Sequence, residues 1–590
     1  MLVPAWLFAW QAAPAPPDRD SIIVTGTFEP LPLDEADRSV RSLEVRGMHL
    51  VVNTYADLLR LDSSVDLRQR APNGLQGDIS IRGGTFGQTV VLLDGLRLND
   101  VQSGHHNLDV PVPLESISAV EILKGSGSTL YGSDAIGGVV NFITRTPETS
   151  EMHLWAAAGN FGTNQQRGTI SAVRDTISQQ FTFSRDFSSG FIPNRDYRNL
   201  SLGATTRIVT RLGETHVLLS HRDSPFGAEQ FYGNFNSWER TKTWWAAANQ
   251  NLGTKTDVSF AFRRHSDLFV LYRDRPQLFT NRHNVESFQA ALRRRETLGQ
   301  NTRLFYGVEG FRDSIVSNNL GRHDRARGAA YAALDLRALR RYSLNLGVRD
   351  EVYGSANHQL SPTVSAGAWL SSAIKARASV SRAFRLPTYT DLYYQDPANR
   401  GSADLRPEKA WSYEAGVDWN AGGRVRAGVT VFHRRETDGI DYVRSNPTDI
   451  WRATNFQSLQ FTGVEADTRV RLSRAGQLEL QYSQLRGAQN VLMAMQSKYV
   501  FNYPVRSGIA SWTGQLGSGI VARTRIGVVE RFQRDPYAVW DVYGAAARGR
   551  VRPFLQLTNL SNTRYEEIPA VAMQGRAVLG GVEIVVFGPR

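Results

Sequence analysis

Apolar and polar residues alternate over most of this chain, and the alternation begins near Glu151. Three segments, residues 258–263, 342–349 and 478–483, carry apolar side chains at every second position. Because successive side chains on a β-strand point to opposite faces, each segment predicts a strand with one apolar and one polar face. Such strands either bury the apolar face in a soluble sandwich or present it to lipid in a membrane barrel.

The length of the alternating region decides between these two architectures. The region runs from about residue 150 to residue 590, which is too long for a single sandwich domain. Divided among the roughly 22 strands of a plugged barrel, it gives about 20 residues to each strand with its share of loop. That length accommodates a membrane strand of about 9 to 11 residues. We therefore predict a membrane β-barrel of about 22 antiparallel transmembrane strands over residues 149–590, closed so that every backbone group is paired in lipid.

The stretch before the barrel has a different texture, with many glycines and short apolar runs between residues 80 and 145. Residues 89–93, 120–123 and 138–143 are predicted strands, and Asp94-Gly95 predicts a tight hairpin turn before residues 96–98. Residues 54–61 predict a short helical face. The run GSGSTLYG is not a phosphate loop, because Lys124 precedes it whereas a P-loop lysine follows the last glycine. Glycines in this run predict a close approach of the backbone to another part of the molecule.

Several ordered blocks in this stretch resemble the plug of TonB-dependent outer-membrane receptors. The blocks are IRGG at 81–84, LLDGLRLND at 92–100, VEILKG at 120–125 and LYGSDAIGGVVNFITR at 130–145. Further blocks, at 381–388, 405–409 and 559–565, are similar to the barrel of the same family. The resemblance implies an N-terminal α+β plug domain, residues 28–148, inside the barrel lumen. It also implies active transport across the bacterial outer membrane.

Two N-terminal segments precede the plug. Residues 1–15 have a short apolar core and small residues after it, which predicts an export signal, although no Lys or Arg stands before the core. A disordered apolar leader is the alternative. Residues 20–27, DSIIVTGT, are an extended β-branched run suited to pairing with a sheet edge. They resemble the TonB box, which implies coupling to the TonB protein of the inner-membrane energising complex through Ser21, Ile22, Ile23, Val24 and Thr25. The alternative is an ordinary plug strand.

Composition narrows the function classes further. The chain has no cysteine, which excludes disulfides, thiolate metal sites and a cysteine nucleophile. Its formal charge is +12, yet the Lys and Arg residues are scattered, so we expect no nucleic-acid partner. No internal stretch approaches the roughly 18 apolar residues of a spanning helix. Neither a Gly-x-Ser-x-Gly nor a His-Glu-x-x-His arrangement is present, so we expect a transporter rather than an enzyme.

Two polar plug segments, residues 70–78 and 99–109, are expected to form exposed apical loops, and the resemblance implies that they hold the ligand. The candidate ligand-binding residues are Asn73, Gln76, Asn99, Gln102, Ser103, His105, His106 and Asn107. Neighbouring histidines on an extended segment point apart, and no further acidic or His cluster lies nearby in the sequence. Hydrogen bonding is therefore favoured over metal ligation for His105 and His106. No cofactor is expected, because the outer-loop aspartates that would hold calcium are sparse.

Charged plug residues are expected to set how the plug sits in the barrel. Arg82, Glu121 and Lys124 would face a polar lumen and pair with barrel charges, or else be simply hydrated. At the other end of the chain, residues 581–587 suit a closing strand, but Gly588, Pro589 and Arg590 follow the terminal aromatic residue that such barrels end on.

The sequence leaves two alternatives for the ligand. The plug blocks, the short coupling segment and the modest barrel length are most similar to the cobalamin receptors of the family. Amide-rich and aromatic loops suit cobalamin, which carries amide side groups on an apolar corrin plane. The alternative is a ferric siderophore or haem, since Arg-rich outer segments such as residues 273–275 and 322–325 would attract an anionic iron chelate.

Overall fold

The barrel wall dominates the structure. A computed structural model describes residues 22–23, 25–27, 30–45, 48–338, 341–456, 458–473, 476–487, 495–517 and 519–588. In these ranges 22 antiparallel strands form a closed barrel, whose first strand pairs with its last. They are Glu151–Gly159, Asn164–Arg174, Ile177–Ser188, Tyr197–Thr210, Gly213–Glu229, Asn236–Leu252, Thr256–Val270, Thr280–Gly299, Thr302–Ser317, Gly321–Ala338, Tyr342–Tyr353, Asn357–Trp369, Ile374–Arg385, Glu408–Ala421, Val425–Thr437, Leu459–Ser473, Gly476–Gly487, Pro504–Leu516, Ile520–Arg531, Tyr537–Ala546, Val551–Thr558 and Ala577–Phe587. The predicted barrel class is confirmed. The predicted export signal, Pro589 and Arg590 lie outside the described residues.

The two faces of the wall follow the alternation seen in the sequence. Val258 and Phe260 are 37% and 46% exposed, whereas Ser259, Ala261 and Arg263 between and beside them are buried. Outward apolar side chains suit lipid, and inward polar side chains suit the lumen, which is the inverse of a soluble sandwich. No helix within the described ranges is long and apolar enough to span a membrane.

The two rims of the barrel differ in the length of their connections. On one rim the strands are joined by two to four residues, as between Arg174 and Ile177. On the other rim most connections are longer, and some of them carry their own elements. These are the helix Tyr389–Tyr393, a four-stranded sheet of Asn399–Arg400, Gly439–Arg444, Trp451–Phe456 and Gln496–Ser497, and the pair Glu566–Ile568 and Val571–Ala572. Short turns mark the periplasmic rim and long loops the extracellular rim.

The plug fills the lumen with a small mixed sheet and short helices. Its strands are β1 (Ile22–Ile23), β2 (Leu31–Pro32), β3 (Val40–Glu44), β4 (Val65–Arg68), β5 (Asp78–Ile81), β6 (Thr89–Leu93), β7 (Leu96–Arg97), β8 (Ile117–Lys124) and β9 (Gly138–Thr144). Its α-helices are α1 (Tyr55–Leu59) and α2 (Ser128–Tyr131), and its 3-10 turns are Leu33–Glu35, Phe86–Gln88, Gly104–His106 and Leu114–Ser116. The central sheet has the order β3-β8-β9-β6-β7, in which β6 and β9 are parallel. The predicted plug strands and the short helix are present.

The plug core lies between this sheet and α1. Leu58, Leu59, Ile79, Val120 and Ile122 are fully buried in one apolar cluster. Strands buried on both faces read as continuous apolar runs, which explains why VVLL of β6 lacks the alternation of the barrel. Capping by Thr54, whose side chain accepts a hydrogen bond from the Asp57 backbone N–H, starts α1.

Two plug turns require the residues found there. Asp94 and Gly95 both have positive φ, 52° and 77°, which is the backbone of the predicted tight hairpin between β6 and β7. Gly132 ends α2 at φ 72° and ψ −144°, a region that only glycine adopts readily. A Cβ there would collide with the carboxylate of Glu351 on the barrel wall. The expected close approach of the backbone is therefore made against the barrel.

Candidate functional site

The N-terminal segment lies against the central strands of the plug. Ile22–Ile23 pairs antiparallel with Leu31–Pro32, and Ser21 and Val24 lie outside the described residues. Thr25 is fully buried, and its backbone N–H donates to Glu121 Oε2 at 2.7 Å. Its hydroxyl oxygen accepts a hydrogen bond from Asn141 Nδ2 at 3.0 Å. This segment must therefore leave the plug before it can pair with another protein along its whole length.

Arg82 anchors the plug to the wall at the end of β5. Its guanidinium makes a bidentate contact with Glu465, at 2.9 Å from Nε and 2.8 Å from Nη2, and Nη1 lies 2.5 Å from Glu414 Oε2. The side chains of Arg82 and Glu414 are 3% and 6% exposed. Lys124, at the end of β8, lies 3.1 Å from Asp62 within the plug and 3.9 Å from Glu465. The side chains of Arg82 and Lys124 thus converge on one barrel carboxylate, that of Glu465.

Asp62 is the plug's own buried carboxylate beside this contact. Burial would raise the pKa of Asp62, but Lys124 and Arg41 outweigh burial and hold that pKa at about 2. Ser64 also donates to Asp62 from its backbone N–H at 2.8 Å. The carboxylate is therefore ionised at any physiological pH and fixes Lys124 at the barrel-facing edge.

The plug loop of residues 70–78 is covered rather than exposed. Gln76 is 5% exposed, and its Nε2 donates to Glu239 Oε1 at 2.6 Å. Asn73 donates to the Tyr197 hydroxyl at 2.5 Å. Arg195, from an extracellular connection, donates to the carbonyl oxygen of Arg70 at 2.9 Å. The expectation of an exposed loop is wrong here, because residues distant in sequence close over it.

The plug loop of residues 99–109 is also buried, and its amides hold the loop itself together. Asn99 Oδ1 accepts from the Val91 N–H at 2.7 Å, and Asn107 Oδ1 accepts from the Asp100 N–H at 3.0 Å. Gln102 Nε2 donates to Asp267 of the wall at 2.8 Å. Ser103 caps the turn that follows, since its hydroxyl accepts from the His105 N–H. Here too the expectation of exposure is wrong, and a ligand role for these side chains stays a prediction.

The two neighbouring histidines point to different surroundings, as expected. His105 stacks on Phe86 with ring centroids 4.1 Å apart, and Nδ1 lies 2.6 Å from Asp78 Oδ1. Burial lowers the pKa of His105 in spite of Asp78, so the imidazole is neutral at neutral pH. His106 instead faces the barrel wall, where the rings of His106 and His265 lie 4.8 Å apart. The expectation that no further acidic or His cluster lies near His106 is wrong in space, since Asp109 and His265 lie beside it.

A sheet of the long connections covers the plug on the extracellular side. Asp441 holds it, since its carboxylate accepts backbone N–H bonds from Tyr442 at 2.7 Å and from Val500 at 2.9 Å. Tyr499 from the same cover makes an edge contact with Phe86 of the plug, with centroids 5.1 Å apart. Sequence reasoning missed this sheet, although the β-branched and aromatic runs IDYVR and WRATNF on either side of SNPTD are hairpin signals.

The outer face of this cover combines cationic and aromatic side chains. We define the outer basic patch as Arg400, Arg444, Arg452 and Lys498 together with Tyr442, Trp451 and Tyr499. The Arg444 guanidinium lies 4.3 Å from the centre of the Trp451 ring, and Lys498 Nζ lies 5.4 to 5.9 Å from all three rings. Arg400, Arg452 and Lys498 are exposed. In the Arg-rich segments 273–275 and 322–325, Arg273 pairs with Asp196 and Arg325 donates to the Pro387 carbonyl oxygen, whereas Arg322 is exposed.

The cavities beside the plug loops are too small for a bulky ligand. One of about 120 Å³ borders Asn73, and one of about 20 Å³ borders Asn99 and Asn107. Pockets that hold drug-sized molecules measure about 300–1,000 Å³. A concavity of about 870 Å³ lies instead on the lipid-facing side of the wall, beside Phe181 and Trp244. A bulky ligand therefore first meets the outer cover, and passage requires both the cover and the plug to move.

Comparison with known proteins agrees with this architecture. Residues 35–139 match the family described as TonB-dependent Receptor Plug Domain, and residues 127–561 match TonB dependent receptor-like, beta-barrel. The vitamin B12 transporter BtuB of Photobacterium profundum is 23% identical over 457 residues, 71% of this chain and 72% of the relative. The iron-regulated outer membrane virulence protein of Vibrio cholerae is 26% identical over 468 residues, 69% of each chain.

Solved structures share the fold at low sequence identity. The siderophore receptor PirA from Pseudomonas aeruginosa superposes with a TM-score of 0.71 at 18% identity, covering 93% of this chain and 99% of that chain. At this identity the likeness concerns the fold alone, a wall of 22 strands around an N-terminal plug.

Proposed function

The chain belongs to the TonB-dependent outer-membrane receptors, a family of transporters and receptors rather than enzymes, and we propose that it imports cobalamin. The lumen of its barrel is closed by the plug, so transport needs work to open a path. The family implies that this work comes from TonB. The similarity to a vitamin B12 transporter over 71% of the chain carries the choice of cobalamin.

The docked N-terminal segment supplies the mechanism of coupling in this proposal. Residues 21–25 pair with a strand of TonB, whose backbone hydrogen bonds resist a pull along the strand. Because Thr25 is held by Glu121 and Asn141, release of the segment is the first step. A pull on the paired segment then acts on β8 and β9, to which those two residues belong.

The outer cover supplies the first contact with the ligand in this proposal. The rings of Trp451 and Tyr499 offer apolar faces for the corrin plane, and the flanking polar groups serve its amides. The amides of the plug loops are already bonded within the protein, so they become available only after the cover and the loops rearrange.

Equilibrium binding of cyanocobalamin to the detergent-purified receptor tests the ligand. We expect saturable binding that W451A weakens and W540A, which removes a lipid-facing indole of the wall, leaves unchanged. Absence of saturable binding refutes cobalamin as the ligand. Deletion of residues 21–25 tests the coupling, since we expect it to abolish uptake in cells and leave binding intact. Normal uptake by the deletion strain refutes the coupling role.

An anionic iron chelate is a second candidate, and the outer basic patch favours it. Three exposed cations beside the partly exposed rings of Trp451 and Tyr499 suit a ligand with negative charge and aromatic groups. A panel of ferric siderophores and haem in the same binding assay distinguishes the two ligands. Tight binding of a chelate that weakens in the double variant R452A/K498A, together with no cobalamin binding, selects the chelate.

A further inference from the structure

A cluster of histidines and carboxylates lies where the second plug loop meets the barrel wall. His106 and Asp109 belong to the loop of residues 99–109, and His265 belongs to the wall strand Thr256–Val270. Their atoms His106 Nδ1, Asp109 Oδ2 and His265 Nε2 converge, with all ligand atoms of the group within 4.8 Å of one another. The cluster thus brings together two parts of the chain, the plug loop and the barrel wall.

The spacing of these atoms fits a four-coordinate metal. Asp109 Oδ2 lies 3.6 Å from His106 Nδ1 and 3.4 Å from His265 Nε2. Nitrogen and oxygen ligands sit about 2.0–2.2 Å from Zn²⁺, which at tetrahedral angles places neighbouring ligand atoms about 3.4 Å apart. Two imidazoles and one carboxylate are a ligand set that Zn²⁺ and its neighbours in the first transition row accept.

These three atoms have no other hydrogen-bonding partner. His106 Nδ1, Asp109 Oδ2 and His265 Nε2 are all buried and make no hydrogen bond. His265 is fully buried, and His106 is 4% exposed. A buried polar atom left without a partner costs about 1–3 kcal/mol. One cation at their centre would satisfy all three atoms at once.

The remaining nitrogen of each imidazole faces a carboxylate. His265 Nδ1 lies 2.7 Å from Asp100 Oδ2, and Asp100 is itself paired with Arg263 at 2.7 Å. His106 Nε2 lies 3.5 Å from Asp267 Oδ2. Imidazoles that ligate a metal almost always present their second nitrogen to a carboxylate, a carbonyl or water, which fixes the ring and its tautomer.

A second grouping around His106 is less suited to a metal. It consists of His106, Glu239 and Asp267. Both oxygens of Glu239 accept from Gln76, and Asp267 Oδ2 accepts from Gln102. Three of its four carboxylate oxygens are therefore already bonded, and only Asp267 Oδ1 has no partner.

We propose that His106, Asp109 and His265 form a binding site for a divalent transition-metal ion of the Zn²⁺ class, which ties the plug loop to the barrel wall. The fourth position is left for water or another oxygen ligand. Two ligands come from the plug and one from the wall, so the bound ion holds residues 99–109 against the strand Thr256–Val270. The site does not depend on which nutrient the receptor imports.

Metal titration of the tag-free, full-length receptor in detergent tests the site. The protein is stripped with a chelator, and Co²⁺ is added as a spectroscopic probe, followed by Zn²⁺ as competitor. We expect one Co²⁺ per chain with the visible absorption of a four-coordinate complex, displaced by Zn²⁺ and not by Mg²⁺. H265Q and D109N should each weaken binding at least tenfold.

A matched control and a fold check accompany these variants. H221Q changes a histidine on the strand Gly213–Glu229, whose Nδ1 lies 3.0 Å from the Thr243 carbonyl oxygen and outside the cluster. This control should bind Co²⁺ like the unchanged receptor. Heat-modifiable migration in gels shows that each variant barrel is folded. Absence of saturable Co²⁺ and Zn²⁺ binding, or equal binding by folded D109N and H221Q, overturns the proposal.

Hydrogen exchange tests the link between plug and wall separately. Saturating Zn²⁺ should slow backbone exchange in residues 99–109 of the unchanged receptor and have no effect on H265Q. Metal binding without slower exchange in this loop overturns the tie between plug and wall.

Discussion

Replacement of Arg82 by alanine should loosen the plug in the barrel. Arg82 stands in the left-handed region, at φ 53°, directly after β5. Its side chain reaches Glu414 on the strand Glu408–Ala421 and Glu465 on the strand Leu459–Ser473. The variant removes one cation and leaves two buried carboxylates on the wall.

The two carboxylates are not affected equally. Glu414 keeps Arg377 at 2.7 Å and the Ser39 N–H at 3.1 Å, so its charge remains paired. Glu465 keeps Lys124 only at 3.9 Å. Removing one partner of a buried ion pair costs about 3–5 kcal/mol, and the remaining contacts of Glu414 place this case near 3 kcal/mol. With a urea dependence of about 2 kcal/mol/M, the midpoint of plug unfolding should fall by about 1.5 M.

The absence of cysteine makes a specific assay possible. A single cysteine at Glu44, an exposed plug position at the end of β3, carries a fluorescent or spin label that reports on the plug. The label is followed in urea, while heat-modifiable migration confirms that the barrel stays folded. R82A and R82K are compared in this E44C background. Lysine preserves the charge but cannot make the bidentate contact, so R82K should lie between R82A and the parent.

A double variant separates the loss of the attraction to Arg82 from the cost of leaving the buried Glu465 carboxylate under-paired. R82A/E465Q removes the cation and neutralises the carboxylate that R82A leaves under-paired, so it should regain about 1–2 kcal/mol relative to R82A. A midpoint for R82A within about 0.3 M of the parent would refute the anchoring role of Arg82. Equal midpoints for R82A and R82A/E465Q would refute the assignment of the cost to Glu465.

Three further predictions concern the plug. E121A should make a cysteine at position 23 react with a thiol reagent at least tenfold faster than E121Q does, because glutamine still accepts the Thr25 N–H bond and alanine does not; equal rates would contradict this. D62N should lower plug stability by about 2 kcal/mol at neutral pH. Because the pKa of Asp62 is depressed to about 2, its stabilisation is present above about pH 4 and lost as the pH falls towards 2. Urea midpoints of parent and D62N should therefore converge at low pH, and a constant difference would refute the assignment. G132A should lower the urea midpoint by more than G253A, because alanine is strained at the positive φ of both positions but a Cβ at position 253 faces open space; equal effects would deny the close approach of Gly132 to the wall.

Local patterns predicted the elements whose structure is set locally. The alternation of apolar and polar residues in 258–263 correctly predicted which side chains face lipid and which face the lumen, because each side chain's direction depends only on its place in the strand. Asp94-Gly95 correctly predicted the turn between β6 and β7 because both residues tolerate positive φ. The length of the alternating region agreed with the 22 strands of plugged transporters, since each membrane crossing consumes a similar stretch of chain.

Contacts between distant parts of the chain were beyond the sequence. The loops around Gln76 and Asn99 were expected to be exposed, yet they are covered by parts of the chain that follow more than a hundred residues later. Asp109 lies three residues after His106, but the approach of His265 to His106 depends on how the plug is rotated in the barrel. Arg82 was expected to meet wall charges, but the identity of Glu414 and Glu465 as its partners needed the closed barrel.

The contacts of the N-terminal segment suggest how a pull would reach the wall. Thr25 is bonded to Glu121 of β8 and Asn141 of β9, which are paired with each other in the central sheet. The C-terminal residue of β8 is Lys124, which lies near Asp62 and Glu465. The hydrogen bonds of Thr25 should break before the buried bidentate ion pair between Arg82 and Glu465 does, because that ion pair combines two charge-assisted hydrogen bonds. We therefore expect Thr25 to detach first while the plug stays seated, so that a pull on the freed segment reaches the Arg82 contact only afterwards.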